Sequence, residues 1–493
     1  MATKNDSDRQ GTYSTNKSFN FDALDKLGYA KSLSEKRIQM YEMISNSGTE
    51  LIRRRTNEDV DVTVAGSRGE GMCVSCDSDA DVLFIQRNVK CTDTFQTPFI
   101  SDETIAVLFH LDFENVPIGY SKLRLMSSDN CQFVLRNNVE FLTNLIDALV
   151  ERNGQKYLRN DKPTTLVFRH DRIGWVKQQS VFDEVTGPAR TLRIEMPMLP
   201  EVYVSLDCVL TFKCEYPSVV EDWCKRERKY SWPNKDLVER VKNLDVLVVP
   251  AGCKGSPDED LQWRISLTLA EQALVHSFND IQIKLYAALK MLAKHELKPI
   301  CENITSYILK NLLFWTFENT DINNVTKDTF DETLIGILEH LKMCITWKYL
   351  QSYMIPSKNL LQSKIFEIEK RKLIQRLIDI IYENRSLLIT CPVVKQLSHL
   401  SSDELEQMIA FRELLEQEFT AVCWVSATHP EITDKIWNNT EEPMDVLNTI
   451  VDKVFPLIRR HNPDRLFDRL NSISKEDLYF CFVNGIIRGY HKS

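Results

Sequence analysis

Hydrophobic residues recur at two different spacings along the chain, and each spacing predicts one kind of secondary structure. Over residues 21–57 the spacing is helical, which predicts one long helix or a helix that breaks at Gly48. Over residues 60–250 alternating and short apolar runs predict a sheet that one helix interrupts. The predicted strands span about 60–64, 81–85, 193–197 and 202–212, and the predicted helix spans about 139–152.

After residue 263 the strand pattern ends and helical spacing returns. Helices are predicted at about 281–297, 303–319, 329–349 and 364–384, and again after Pro392 at about 402–425, 443–460 and 475–489. These patterns predict an α+β protein of five regions. The regions are a disordered tail at 1–20, an N-terminal helix at 21–58, a mixed core at 59–260, a helical lobe at 261–385 and a helical C-terminal extension at 386–493.

The composition is that of a globular chain with more than one core. Its 493 residues are 43% hydrophobic and 27% charged, which excludes collagen-like, wholly disordered and disulfide-stabilised miniprotein classes. The 70 acidic and 61 basic residues give a net charge of −9, so a general coat of nucleic acid is disfavoured while a local basic face stays open. No run of about 18 apolar residues exists, which predicts no transmembrane helix and no membrane partner.

The 13 cysteines are scattered through apolar surroundings. Buried, scattered thiols are typical of a reducing compartment, so the sequence predicts a cytoplasmic protein. Cys73 and Cys76 form a C-x-x-C pair. Because no second pair lies at zinc-site spacing, a coincidental pair is favoured over a zinc or redox site.

A glycine-rich turn and two acidic residues follow the first predicted strand. Gly66 and Ser67 begin the turn, and Asp79 and Asp81 open the next apolar strand. Because side chains alternate along a strand, both carboxylates point to one face, where they repel each other unless cations lie between them. Backbone amides of the turn and the Ser67 hydroxyl suit a triphosphate, so the predicted cations are two Mg²⁺ or Mn²⁺ ions that come with a nucleotide.

Asp207 is the candidate for the third acid that such a two-metal site requires. It is a lone charge in an apolar strand, where burial without a cation is costly. Taken singly, the turn reads as an ordinary turn and the acid pair as a solvated strand end. Taken together, a Gly-Ser turn, an acid pair and an acid on a later strand resemble the polymerase-β-like nucleotidyltransferase superfamily.

Six further segments carry a more specific signal, namely residues 115–125, 228–233, 249–256, 262–271, 288–290 and 305–310. They resemble segments of the male-abnormal-21 domain family. Together they are similar to the cyclic GMP-AMP synthase-like receptors, which are innate-immune nucleotidyltransferases of animals. The resemblance covers about residues 21–385.

The resemblance implies a bilobal polymerase-β-like nucleotidyltransferase core with an N-terminal spine helix and a C-terminal helical lobe. It also implies a ligand-activated enzyme that joins two nucleoside triphosphates, ATP and GTP or others, into a cyclic dinucleotide and releases pyrophosphate. A STING-like receptor would read the product in antiviral defence. Two other functions stay open, namely a non-catalytic binding or scaffold protein and a template-free RNA-tailing polymerase.

The resemblance assigns roles to single residues. Asp79, Asp81 and Asp207 would hold both metal ions, and Asp207 would deprotonate the attacking hydroxyl. No structural zinc is expected, because the segment between residues 271 and 290 has no cysteine. Core packing and exposed helix charge are the plain alternatives for the implied nucleotide-binding residues. Those residues are Ser67, Arg264, Ser266, Thr268, Glu271, Lys290, Ser306, Tyr307 and Lys310.

The implied activator is a nucleic-acid duplex, with double-stranded RNA favoured. Duplex binding without sequence reading needs basic residues against phosphates. A solvated helix face is the alternative for every basic group. The candidates are Lys26, Lys31, Lys36, Arg37, Arg53, Arg54 and Arg55 on the N-terminal helix, then Lys225, Arg226, Arg228 and Lys229, and then the run Lys370–Lys372.

Overall fold

The computed structural model divides into two compact units. The sheet unit contains the described residues within Glu35–Ser218, Asn243–His276 and Ala410–Ser493, and the helical unit contains those within Met1–Ser34, Val219–Lys242 and Ser277–Ile409. The described residues are 19–56, 59–74, 80–94, 107–127, 141–161 without 142, 180–216 without 187, 188, 197 and 198, 218–382 without 363, 387–410, 412, 413 and 416.

The described part of the sheet unit contains an eleven-stranded mixed sheet. Its strands are β1 (Val60–Ala65), β2 (Ala80–Thr92), β3 (Val107–Asp112), β4 (Tyr120–Ser127), β5 (Leu149–Arg152), β6 (Gln155–Leu158), β7 (Ser180–Thr186), β8 (Ala189–Met196), β9 (Leu199–Glu215), β10 (Val246–Val249) and β11 (Gln262–Ser266). The order is β1-β2-β3-β4-β11-β10-β9-β8-β7, β2 also pairs with β9, and the β5–β6 hairpin joins β4.

Among the described residues, α-helices account for the rest of the regular structure apart from short 3₁₀ and π segments. They are α1 (Phe19–Lys26), α2 (Lys31–Thr56), α3 (Gly66–Gly69), α4 (Ser218–Lys225), α5 (Lys235–Lys242), α6 (Thr268–His276), α7 (Asp280–Leu292), α8 (Ser306–Asn319), α9 (Phe330–Trp347), α10 (Glu367–Tyr382) and α11 (Pro392–Leu397). Described residues 402–410 are also helical. None of the described helices is both long and apolar enough to cross a bilayer.

Strand β2 is the centre of the sheet. Its first half lies between β1, which is antiparallel, and β9, which is parallel. A register irregularity between Gln86 and Lys90 brings its second half beside β3. The pairings of β2, β3, β4, β11, β10 and β9 therefore close into a ring of strands. The buried rings of Phe212 and Trp263 lie 5.2 Å apart on one face of these strands, and the opposite face carries the candidate site.

Helix α2 supplies hydrogen-bond partners for β1, the first strand in the sheet order. The Thr49 hydroxyl accepts from the Val62 amide at 2.8 Å, and the Ser45 hydroxyl accepts from the Val64 amide at 2.9 Å. The two hydroxyls lie one helical turn apart and so match alternate amides of the strand. A Cβ added to Gly48 would lie 3.4 Å from Val62 Cγ1, so a small residue permits the helix to come this close.

The N-terminal helical pattern corresponds to α1 and α2. The predicted break at Gly48 is wrong, because α2 continues through it and the chain breaks at residues 27–30 instead. Gly28 in that break has a φ of 95°, which favours glycine. A glycine inside a helix costs only about 1 kcal/mol relative to alanine, and the bonds from α2 to β1 offset that cost.

The predicted helix at about 139–152 is wrong over its second half. Described residues 143–147 are helical, and β5 follows them. Asn153 and Gly154, with φ angles of 51° and 72°, form the two-residue turn between β5 and β6. An Asn-Gly pair tolerates positive φ at both positions, and this turn preference outweighs the helical spacing before it.

The helical unit confirms the four helices of the first predicted block, which correspond to α7, α8, α9 and α10. In the second block, helical structure begins at residue 402 as predicted. The predicted helices at 443–460 and 475–489 lie outside the described residues, as does most of the predicted C-terminal extension.

A buried ionic cluster ties several elements of the helical unit together. The Glu318 carboxylate accepts from Arg226 and Arg228, both at 3.1 Å, and from the Tyr353 hydroxyl at 2.6 Å. The Arg226 guanidinium also lies 4.3 Å from the ring centroid of Trp315. Burial raises the pKa of Tyr353, and Glu318 raises it further. The structure therefore contradicts Arg226 and Arg228 as duplex-binding residues, because both guanidiniums are used inside the protein.

Replacing Glu318 by glutamine is expected to lower the free energy of unfolding by about 3 kcal/mol, since two half-buried guanidiniums then lose the buried carboxylate that balances their charge. Denaturant unfolding followed by circular dichroism measures this. Glu221→Gln is the control, because Glu221 pairs with Lys225 on an exposed helix surface and should change stability very little. Equal stability of the Glu318 variant and the unaltered chain would contradict the prediction.

Candidate active site

Asp81 and Asp207 are neighbours in the sheet. They are Cα partners on the parallel strands β2 and β9. Register partners on adjacent strands lie about 4.8 Å apart, and their side chains share a face. On the same face, Leu83, Ile85 and Val209 belong to a buried apolar cluster. The two carboxylates therefore stand next to each other above an apolar base.

Gly66 lies against the Asp81 carboxylate. Ala65 is the register partner of Asp81, and the chain then turns into α3 with a φ of 60° at Gly66. A Cβ added to Gly66 would lie 1.8 Å from Asp81 Oδ2, so glycine is needed for the carboxylate to stay. Ser67 follows in α3 and is half-buried. The turn that was predicted to bind a triphosphate thus adjoins a predicted metal ligand.

Helix α6 fixes the same turn. The Gln272 side chain donates to the Gly69 carbonyl at 2.9 Å, and His276 Nε2 lies 2.8 Å from the same oxygen. A Cβ added to Gly69 would lie 2.2 Å from the Val64 carbonyl oxygen. Sequence reasoning missed Gln272 and His276, because they contact a carbonyl 203 and 207 residues away that no local pattern identifies.

Thr191 orients the second carboxylate. It is the register partner of Asp207 on β8, and its hydroxyl donates to Asp207 Oδ1 at 2.7 Å. This bond fixes the plane of the carboxylate, and a carboxylate has further lone pairs with which to coordinate a cation. Thr191 was not identified from the sequence, because a threonine in a strand is ordinary until its register is known.

Thr191→Val keeps the shape of the side chain and removes the bond to Asp207. We expect the apparent affinity for the activating metal ion, or the rate at fixed metal concentration, to fall about tenfold, as is usual when the partner of a metal ligand is lost. Titration of Mn²⁺ in a turnover assay measures the effect. Thr191→Ser retains a hydroxyl and should recover most of the loss, and equal activity of the valine variant and the unaltered chain would argue against the orienting role.

Arg264 and Ser266 lie on the aspartate face. On β11 they are the register partners of Val249 and Leu247 of β10, and both of these belong to the apolar cluster under the aspartates. The Arg264 side chain is exposed. Ser266 Oγ lies 2.7 Å from the Thr268 hydroxyl. The structure therefore brings these predicted nucleotide-binding residues to the same face as Asp81 and Asp207.

Two further residues complete this region of the sheet unit. Glu271 on α6 is buried, at 7% exposure. Tyr120 on β4 is the register partner of Arg264, and burial raises the pKa of its hydroxyl while Arg264 lowers it. Sequence reasoning placed Tyr120 within a family segment and gave it no role.

The other predicted nucleotide-binding residues belong to the helical unit. Ser306 and Tyr307 begin α8, and Lys310 follows one turn later with its Nζ 6.0 Å from the Tyr307 ring centroid. Residues three and four apart share a helix face, and a helix N-terminus favours anions. Lys290 on α7 lies 5.4 Å from the Tyr286 ring centroid.

The predicted activator residues differ in exposure. Arg37 is 2% exposed, and its guanidinium pairs with Glu416 at 2.9 Å, which contradicts a phosphate contact. Arg53 bonds to Asp61 at 3.2 Å. Of the other candidates on α2, Lys31 and Lys36 are exposed, and Arg54 is 65% exposed and pairs with Glu50. The side chain of Arg55 lies outside the described residues.

The donor set fits a divalent ion. Carboxylate oxygens are the ligands that Mg²⁺ and Mn²⁺ prefer, and adjacent carboxylates repel each other unless a cation lies between them. The space that Gly66 leaves keeps Asp81 at this position. Within the described residues no group of three or more His, Cys, Asp or Glu side chains is arranged for a metal. The third predicted ligand, Asp79, lies outside them.

Comparison with known proteins finds similarity over part of the chain. Residues 282–378 match the Mab-21 protein HhH/H2TH-like domain, and the matched segment includes most of α7 and α10 and all of α8 and α9. This segment is therefore similar to the Mab-21 domain. It lies within the helical unit and contains the predicted phosphate-binding residues of α7 and α8.

Two curated proteins are similar to longer parts of this chain. Protein mab-21-like 3 of Danio rerio is 27% identical over 151 residues, which are 28% of this chain and 36% of the relative. A cyclic GMP-AMP synthase-like receptor of Magallana gigas is 23% identical over 282 residues, which are 54% of this chain and 45% of the relative. The chain thus spans less than half the length of each of these relatives.

Proposed function

We propose that this protein is a nucleotidyltransferase that joins two nucleoside triphosphates into a cyclic dinucleotide and releases pyrophosphate. The observation that carries the proposal is the pairing of Asp81 with Asp207 at one register position, beside a turn in which Gly66 leaves room for a carboxylate. The similarity to a cyclic GMP-AMP synthase-like receptor supports the same class of reaction. In this proposal residues 59–260 form the bilobal enzyme's polymerase-β-like core and residues 261–385 its helical lobe.

The acidic residues carry the chemistry. Asp81 and Asp207, together with Asp79, would hold two Mg²⁺ or Mn²⁺ ions. When bound, these ions offset charge on the triphosphate and make the attacking hydroxyl more acidic. The Asp207 carboxylate accepts the proton of that ribose hydroxyl, and Thr191 holds the carboxylate in the orientation this requires. The Ser67 hydroxyl and the backbone amides beside it bind the donor phosphates.

The remaining residues hold the two nucleotides. The exposed Arg264 guanidinium binds an acceptor phosphate or base edge, with Ser266, Thr268 and Glu271 close in sequence on the same unit. At the start of α8 the Ser306 hydroxyl and the Lys310 ammonium bind phosphate, where the helix N-terminus adds to the attraction. Tyr307 stacks on a base, and Lys290 on α7 adds a further positive charge.

We also propose that double-stranded RNA activates the enzyme, with a STING-like receptor reading its product. The exposed Lys31, Lys36 and Arg54 of α2 are the phosphate contacts. The hydroxyls of Ser45 and Thr49 join the same helix to β1, which leads into the Gly66 turn. Six cysteines are buried free thiols, namely Cys91, Cys208, Cys214, Cys301, Cys344 and Cys391, and burial raises the pKa of Cys208 to about 12. Such thiols agree with a reducing cytoplasm.

Labelled nucleotides test the proposal. The purified chain is incubated with Mg²⁺ or Mn²⁺, four labelled triphosphates and a panel of duplex RNAs and DNAs, and products are resolved after phosphatase and nuclease treatment. We expect a small phosphatase-resistant product that disappears in Asp207→Asn. Linear tails on an RNA primer would identify an RNA-tailing polymerase instead. The absence of any Asp207-dependent product with every activator would favour a non-catalytic scaffold.

A further inference from the structure

Four large apolar side chains are exposed around one ion pair of the helical unit. Lys348, directly after α9, pairs with Glu367 at the start of α10 at 2.6 Å. This pair brings the neighbours of both residues together on the surface. We group these neighbours as the apolar patch, which consists of Trp347 at 75% exposure, Tyr349 at 50%, Phe366 at 72% and Ile368 at 70%, because each is next in sequence to a member of the ion pair.

The apolar patch extends along both helices. Met343, one turn before Trp347 on α9, is 57% exposed. Water-soluble surfaces carry single exposed apolar residues, whereas a group of large ones marks a binding surface. Removing the apolar surface of these aromatic rings and of Ile368 from water is favourable in free energy, so a partner that covers them would gain affinity.

The surroundings of the apolar patch are basic, although the whole chain has a net charge of −9. Arg371 and Lys372 are exposed on α10, three and four residues after Ile368, and therefore lie on the same helix face. Residues 364–372 contain four basic and two acidic residues. Of the two acids, Glu367 is paired with Lys348, and Glu369 accepts from the Phe366 amide at 2.9 Å.

This combination selects one occupant. A second copy of the chain docking through the same patch would bring like charges together, which opposes a symmetric dimer. A nucleic-acid duplex presents phosphates to proteins and offers little surface to Phe366 and Ile368. An anionic bilayer offers both a negative surface and an apolar boundary, and Trp, Tyr, Lys and Arg are the residues enriched at that boundary.

We propose that the apolar patch and its basic rim bind the surface of anionic lipid bilayers. Trp347, Tyr349, Phe366 and Ile368 insert at the level of the headgroups, and Arg371 and Lys372 attract the anionic lipids. A surface contact of this kind needs no membrane-spanning helix. The proposal differs from the sequence-based prediction of no membrane partner. It is also independent of the proposed nucleotidyl transfer.

Vesicle sedimentation of the full chain tests the proposal. We expect the chain to sediment with phosphatidylcholine vesicles that contain phosphatidylserine at least about tenfold more strongly than with phosphatidylcholine alone, and salt should weaken the binding. Phe366→Ser with Ile368→Ser should lower the binding about tenfold. Arg371→Glu with Lys372→Glu should remove the preference for phosphatidylserine. All these positions are exposed, so the thermal midpoint should not change.

Matched changes elsewhere separate the patch from general effects. Ile118→Ser alters an exposed apolar residue of the sheet unit, and Arg152→Glu with Lys156→Glu makes the same charge change on exposed residues of the β5–β6 hairpin. Both controls should bind vesicles as the unaltered chain does. Equal loss in a control and in the patch variants would overturn the proposal. The proposal would also be overturned if the unaltered chain bound no vesicles and instead dimerised, or bound single-stranded RNA, through contacts that the patch variants lose.

Discussion

Asp207→Asn is expected to lower the rate of the proposed nucleotidyl transfer by about 10³-fold or more, and adding Asp81→Asn should lower it little further. Asparagine keeps the size of the side chain and removes the charge that a divalent ion requires. Because the two carboxylates are register partners on adjacent strands, they act on one site and their losses do not add. Steady-state rates of the single and double variants, compared as a cycle, measure this coupling.

The Asp207 variants should remain folded. Removing one of two neighbouring negative charges relieves repulsion, so the thermal midpoint should stay the same or rise slightly. Asp222→Asn, on the exposed surface of α4, is the matched control and should leave the rate unchanged. If the fold-loss of rate in the double variant equalled the product of the two single losses, Asp81 and Asp207 would act at separate sites, and the shared site would be contradicted.

Gly66→Ala should lower activity by about 10²-fold or more while costing only about 1–2 kcal/mol of stability. The added Cβ would lie 1.8 Å from Asp81 Oδ2 and 2.9 Å from Asp81 Cγ, so the carboxylate must rotate away from its position. The φ of 60° adds the usual strain of a non-glycine residue. The affinity for Mn²⁺ in the presence of a triphosphate should fall with the rate.

Gly154→Ala separates the strain from the clash. Gly154 has a φ of 72°, but an added Cβ would meet nothing within 4 Å. This control should lose about the same stability as Gly66→Ala through its backbone and should keep full activity. An active Gly66→Ala enzyme, or an inactive Gly154→Ala enzyme, would show that the approach of Gly66 to Asp81 is not the reason for the glycine.

Much of the helical unit could be predicted because its signals are local. The apolar spacing of α7, α8, α9 and α10 gave helices close to those observed. The sheet was harder. Strand β10 has only four residues, Val246–Val249, and its place between β9 and β11 depends on pairings between distant segments. The Asn153–Gly154 turn was a local signal that the helical spacing before it hid.

The residues of the candidate site also differ in whether a local sequence pattern could identify them. Residue type and alternation were enough to single out Asp81 and Asp207, since charges in apolar strands are unusual. Asp81 and Asp207 are neighbours because β2 and β9 pair in parallel in this register. No short sequence segment predicts the pairing of two such distant strands. The roles of Thr191 and Gln272 depend on the same long-range register. Arg37 is basic and helical, yet its burial against Glu416 could not be predicted from its own segment.

Pyrophosphate release directly tests whether the chain is a nucleotidyltransferase, because every nucleotidyl transfer from a triphosphate produces pyrophosphate. The purified chain and its Asp207→Asn variant are assayed side by side with ATP, GTP, Mn²⁺ and duplex RNA. We expect the unaltered chain to release one pyrophosphate for each nucleotide incorporated and the variant to release almost none. Equal release by both proteins, or release by neither with every duplex tried, would contradict this expectation.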